Sequence, residues 1–205
     1  MKLRDQIQAL ARRYAPEFIE VRHHLHAHPE LSYQEYETSA FVQQKLKEFG
    51  IPHQVIALTG VTGIIEGKNP GKRIIALRAD MDALPIQEEN DIPYKSLREG
   101  VMHACGHDVH TTCLLGAAKI LQELRHEWEG TVKLIFQPGE ERNPGGASIM
   151  IKEGVLQNPA PQAIIGLHVH PHLEVGKLSF RGGQVMASAD EIYITTKGKG
   201  GHAAA

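Results

Sequence analysis

Cysteine is nearly missing from this 205-residue chain, which carries two, Cys105 and Cys113. A disulfide-stapled secreted domain would carry more, and Cys105 lies inside a histidine cluster, so both read as thiols. No run of about 18 uncharged apolar residues occurs, and charges interrupt MKLRDQIQALARRYAPEF throughout. That excludes a spanning helix and the apolar region of a signal peptide, so a cytoplasmic protein without a membrane partner is expected. Lys and Arg total 22 against 24 Asp and Glu, with no basic run and no heptad array. Neither a nucleic-acid stripe nor a membrane-surface patch is indicated. What is present is a composition 41% hydrophobic, enough at this length for one substantial core. Small polar substrates remain.

Leu3, Ile7, Leu10, Ala11, Phe18, Val21 and Leu25 recur at helical spacing, predicting an amphipathic first helix that Pro16 breaks or kinks. A second helix is expected over 35–49, with Gly50 at its C-terminus. VTGIIEGKNPGKRIIALRAD holds two apolar runs around a turn signal, which predicts a β-hairpin whose second strand, 73–78, is buried on both faces. TVKLIFQ (131–137) and QAIIGLHV (162–169) resemble that strand, and helical patterns over 109–126 and 146–156 precede them. Alternating strands and helices argue an α/β domain with a mixed, largely parallel sheet flanked by helices.

The downstream end of each strand carries the chemistry. RIIALR runs into Asp80 and Asp82, KLIFQ into Glu140 and Glu141, and AIIGL into His168 and His170. Ligands of open α/β sheets bind outside the carboxyl ends of the strands. MHACGHDVH (102–110) then adds three histidines, a cysteine and an aspartate ahead of a helix. Residues two apart in an extended loop project to one side, so Cys105 and His107 can face one metal if the segment up to His107 is loop. Asp108 suits either the helix N-cap or a partner for the free N–H of a ligating histidine. The spacing does not decide the roles of His103 and His110. Thiolate and imidazole are typical zinc ligands. Carboxylates leave manganese, cobalt or nickel open.

Adjacent carboxylates leaving a strand point apart, so one can bind metal while the other faces the reaction, with Glu140 the candidate base. Two rivals stand beside this hydrolase. One is a metal-free cysteine hydrolase using Cys105; the other is a metal-binding module without chemistry. Core or capping roles are favoured for His23, His24, His26 and His28, a structural hydrogen-bonding role for Asp80, and a buried inert thiol for Cys113.

RADMDALP (78–85), MHACGHD (102–108), FQPGEE (136–141), GLHVHP (166–171) and GKGGHAA (198–204) resemble, in order, the motifs of the aminoacylase/carboxypeptidase family of dinuclear metallopeptidases. The nearer likeness is to its amidohydrolase branch of N-acyl-amino-acid, hippurate and auxin-conjugate hydrolases. The resemblance implies a zinc-peptidase-like catalytic domain over residues 1–183 and only the start of a smaller α+β lid or dimerisation domain over 184–205. It implies two divalent metal ions, zinc first, bridged by Cys105 and bound by His107, Glu141 and His168. Glu140 would be the general base, Asp82 would orient a ligand, and His202 would reach from the lid to polarise the scissile carbonyl. The implied substrate is an N-acyl amino acid or small peptide, and the implied assembly is a homodimer. Members of the family are about twice this length, so a fragment is expected, one that turns over substrate poorly by itself.

Overall fold

In a computed structural model of the chain, residues 2–185 and 192–201 are described. They fall into two compact units, Met1–Val169 and His170–Ala205. The first unit contains α1 (Leu3–Ala27), α2 (Tyr36–Glu48), β1 (His53–Ile56), β2 (Gly60–Glu66), β3 (Ile74–Asp80), α3 (His107–Glu123), β4 (Thr131–Gln137), α4 (Gly146–Lys152) and β5 (Ala163–Gly166). The described residues of the second unit form no helix or strand. No helix among the described residues is long and apolar enough to cross a membrane.

The sheet has the order β1-β2-β4-β3-β5. β1–β2 and β2–β4 pair antiparallel, while β3 pairs parallel with both β4 and β5. Period-two alternation along β4 explains the layering. Leu134 and Phe136 join Val21, Leu25, Val42, Leu46, Leu115 and Ala118 in a cluster beneath α1, α2 and α3. Ile135, on the opposite face, packs with Ala76, Met150 and Val155 beneath α4. The central strands are thus covered on both sides, as nearly continuous apolar runs require.

Three expectations are corrected, and one strand goes beyond them. The hairpin between residues 60 and 80 does not form, because β4 lies between β2 and β3 and takes one edge of each. The turn-rich GKNPGK segment instead spans two inter-strand gaps. Of the break or kink expected at Pro16, the break does not occur: α1 continues through it, losing the one hydrogen bond that the missing N–H would have made to Arg12. β5 is an edge strand whose four residues are all exposed, so its apolar run is not a buried centre. β1 has no counterpart in the sequence reading.

Phe136 is fully buried where β4 meets the helical layer. Phe136→Ala is expected to destabilise the chain by roughly 3–5 kcal/mol, measured by denaturant unfolding. A loss below 1 kcal/mol would show that this cluster is not the main core.

Candidate metal centre

β3 and β4 finish side by side, with Asp80 opposite Gln137, and β5 ends where Gly166 pairs with Arg78. Residues 81–82, 138–141 and 167–169 therefore emerge at one edge. The loop carrying Cys105 closes onto the same edge through Gly106. This residue adopts φ +86°, and a Cβ there would lie 2.4 Å from Cγ2 of Val169. Only glycine allows both the left-handed turn and the contact. Cys105 is thus in loop, and His107 opens α3.

His107 is the hub. Its ligand-capable atoms lie within 4.8 Å of those of Cys105 and His168, of Glu140 and Glu141, and of Asp80 and His110. Its Nδ1 is 2.8 Å from the carbonyl of Asp82, which can only accept. The ring proton therefore sits on Nδ1, and Nε2 carries the lone pair. That Nε2 is buried with no hydrogen-bond partner among the described residues, as is Oε1 of Glu141, and the two are 3.7 Å apart. Cys105 Sγ and His168 Nε2 are separated by 3.3 Å. Zinc–ligand bonds of about 2.0–2.3 Å at tetrahedral angles put neighbouring donors roughly 3.3–3.8 Å apart. Unsatisfied buried acceptors at that separation fit a divalent cation, which would satisfy them as no hydrogen bond here does.

The acidic neighbours are held in place. Ser32 donates to Asp82 Oδ2 at 2.6 Å, and the Glu141 N–H donates to the same oxygen at 3.0 Å. Burial raises the Asp82 carboxyl, yet the bonds from His107, Ser32 and the loop N–H groups outweigh it and hold the group below its usual range. Asp80 meets the same opposition of burial against His110, His107 and Arg78, and settles at about 2. Burial favours the neutral form of His107, but its bond to Asp82 and the charges of Asp80, Asp82 and Glu141 raise its pKa. The cluster attracts a proton, so a metal entering it would displace one. Desolvation, then the charge of Glu141, pushes Glu140 upward, toward the range of a useful general base.

Residues that the sequence reading misses hold the Glu140 loop. Glu35, fully buried between α1 and α2, accepts from the Gly139 N–H and the Thr59 hydroxyl, both at 2.7 Å. The Tyr33 hydroxyl donates to the Arg142 carbonyl at 2.7 Å and accepts from the Gly145 N–H at 3.0 Å. Its ring lies against Gly139 (φ +53°), where a Cβ would come within 2.3 Å of it. A tyrosine and a glutamate in a short interhelical linker carry no sequence signal for this, because nothing near them in sequence names their partners.

Other expectations resolve differently. Asp108 neither caps α3, whose N-cap is Gly106, nor supports a residue of the donor set. It accepts from His26 Nδ1 at 2.8 Å and Arg22 Nε at 2.9 Å. His26 also reaches Glu88 at 3.1 Å, and its bond to Asp108, against burial, raises its pKa. Cys113 is exposed, not buried. His103 is buried, and among the described residues neither nitrogen has a partner and it belongs to none of the donor groups; burial depresses its pKa to about 4. His202 lies outside the described residues.

Burial, then the hydrogen bond and charge of Glu141 and the charges of Glu140 and Asp80, push the bare Cys105 thiol up to about 12. A cysteine nucleophile needs the reverse. A bound cation would invert the balance and deprotonate the thiol.

A mixed α/β sheet that gathers sulfur, nitrogen and oxygen donors at the carboxyl ends of parallel strands is the build of a metallopeptidase catalytic domain. The family model described as Peptidase family M20/M25/M40 matches residues 76–197, more than half of the sequence, and the chain belongs to this family. It is 45% identical over 204 residues to an N-acyl-L-amino acid amidohydrolase of Geobacillus stearothermophilus, covering 98% of this chain and 54% of that one. It is 47% identical over 189 residues to an N-acetyl-L-cysteine deacetylase of Bacillus subtilis, covering 92% and 44%. The fold matches that of the YXEP protein of Bacillus subtilis, described as a dinuclear metal binding peptidase from the M20 family. The TM-score is 0.76 and the identity 44%, over 80% of this chain and 46% of that one. The chain spans about half the length of the curated relatives it matches.

The Cys105 environment predicts slow alkylation in chelator-treated protein carrying Cys113→Ser. With a pKa near 12, the thiolate fraction at pH 8 falls about three orders of magnitude, partly offset by its greater nucleophilicity. Iodoacetamide should react about a hundredfold more slowly than with an ordinary thiol, accelerating as pH rises toward 12. Rapid alkylation at pH 8 would favour the cysteine-hydrolase rival.

Proposed function

We propose that this chain carries the metal centre of an amidohydrolase that cleaves the amide bond of N-acyl amino acids or related small acyl and peptidyl substrates. The observation that carries the reading is the facing pair of unsatisfied buried acceptors, His107 Nε2 and Glu141 Oε1, with the upshifted carboxyl of Glu140 beside them. Two relatives of the chain are named for removing an acyl group from an amino acid, which supports the substrate class.

In this reading Cys105, His107, Glu141 and His168 hold two divalent ions, zinc first, with manganese, cobalt or nickel also suited to the donor set. When bound, such ions acidify water and polarise a carbonyl. The chain's own residues do the rest. Asp82 fixes the His107 tautomer through its carbonyl and steadies the Glu141 backbone through its carboxylate. Glu140 takes the proton from the attacking water and returns it to the departing nitrogen as the C–N bond breaks, giving a carboxylic acid and an amine. His202, at the start of a lid that opens at residue 184 after a catalytic domain over 1–183, donates to the developing oxyanion. A dimeric, cytoplasmic enzyme completes the proposal.

Glu140→Gln keeps size and hydrogen bonding but cannot carry the proton. Bound metal should remain at the wild-type level while hydrolysis of an N-acyl amino acid falls by about 10²–10⁴-fold. Unchanged turnover would remove Glu140 as the base.

A further inference from the structure

His110 is buried, and both of its ring nitrogens are engaged. A backbone N–H can only donate, so the 2.9 Å contact from the Val169 N–H makes His110 Nε2 an acceptor. The ring proton therefore sits on Nδ1 and is donated to Asp80 Oδ1 at 2.6 Å. Asp80 is braced in turn by Arg78 Nη1 at 2.7 Å, and its carbonyl takes the Thr111 hydroxyl at 2.7 Å. His110 therefore has no lone pair free for a metal, although it lies close enough to Asp80 and His107 to form a donor group with them.

Val169 is held at three points. Its N–H is on His110, its side chain presses on Gly106, and its carbonyl accepts His168 Nδ1–H at 2.6 Å. That last bond places the lone pair of His168 on Nε2, the atom 3.3 Å from Cys105 Sγ. His168 lies two residues past the end of β5. The His110 and His168 rings lie edge to face, with centroids 4.5 Å apart.

We infer that His110 is a positioning residue, which through the backbone of Val169 seats His168 in the tautomer and place that face Cys105. The inference rests on reading His168 as a metal ligand. It assigns the Asp80–His110 pair a function at the centre without making either a ligand. Partners at this remove from a metal typically change its affinity by about 10–100-fold when lost.

Isosteric variants separate the two hydrogen bonds. In His110→Gln the amide oxygen can replace Nε2 and still accept from Val169; in His110→Asn the amide nitrogen can replace Nδ1 and still donate to Asp80, but Val169 loses its acceptor. Cobalt(II) is titrated into the protein and both variants, reading the thiolate-to-cobalt charge-transfer band, with thermal midpoints recorded alongside. The expected result is a band in the wild type, most of its affinity retained in His110→Gln, and a loss of about 10–100-fold in His110→Asn. Equal affinity in all three, or losses that follow the thermal midpoints alone, would overturn the inference. Nitrogen NMR of the wild-type protein decides the tautomer without any variant. Nδ1-protonated His110 is expected, and Nε2-protonated His110 would overturn the inference even with the cobalt band intact. Absence of the band in the wild type would overturn the metal-centre reading itself, and the inference with it.

Discussion

Four carboxylates crowd the edge where β3 and β4 end in register. Asp80, Asp82, Glu140 and Glu141 lie there because the two strands stop opposite one another, β3 ending on Asp80 and β4 three residues before Glu140. Like charges at such range, with Asp80 and Asp82 almost wholly buried, are unfavourable unless they are compensated. The surrounding structure compensates unevenly. Asp80 has Arg78 and His110, and Asp82 has Ser32 and a loop N–H. Among the described residues, Glu141 Oε1, His107 Nε2 and the second oxygen of Asp82 have no hydrogen-bond partner. A divalent cation is the group of matching charge and size for that remainder, and the same cation would turn the resistant Cys105 thiol into a ligand.

Compensation also ties distant parts of the unit to the centre. The linker between α1 and α2 reaches across the sheet edge with Ser32, Tyr33 and Glu35, so the Glu140 loop rests on side chains about a hundred residues earlier in sequence. Glu35 lies buried with no cation beside it among the described residues, and desolvation raises its pKa. One of its oxygens instead accepts from the backbone of the loop that follows β4, and the other from the Thr59 hydroxyl. On the far side of His107, Asp108 joins the start of α3 to α1 through His26 and Arg22. The donors thus sit on strand ends and a helix start braced from two directions, the arrangement a site needs if it is to keep its geometry when a substrate arrives.

How much of this was legible follows from the range of each contact. β4 and the carboxyl edge of the sheet are readable because apolar runs and strand-end acids are local patterns. That Cys105 and His107 could face one point follows from their spacing, and Gly106 between them supplies the turn. The hairpin fails as an expectation because its turn signal is local, while the competitor, β4, arrives some fifty residues later and pairs with both strands. The supporting roles of Tyr33, Glu35 and His26 were not readable for the same reason: nothing near them in sequence names their partners. Asp108 reads locally as a cap or as a partner for a ligating histidine, but His26 and Arg22 from α1 claim it instead.

If this edge is a cation site, elemental analysis of the protein and of Cys105→Ser after dialysis against trace zinc will show it in their metal content. At least one tightly held ion per chain is expected in the protein, with most of it lost in the variant while the fold is retained. No metal in either would contradict it, leaving the buried acceptors of His107 and Glu141 without an explanation.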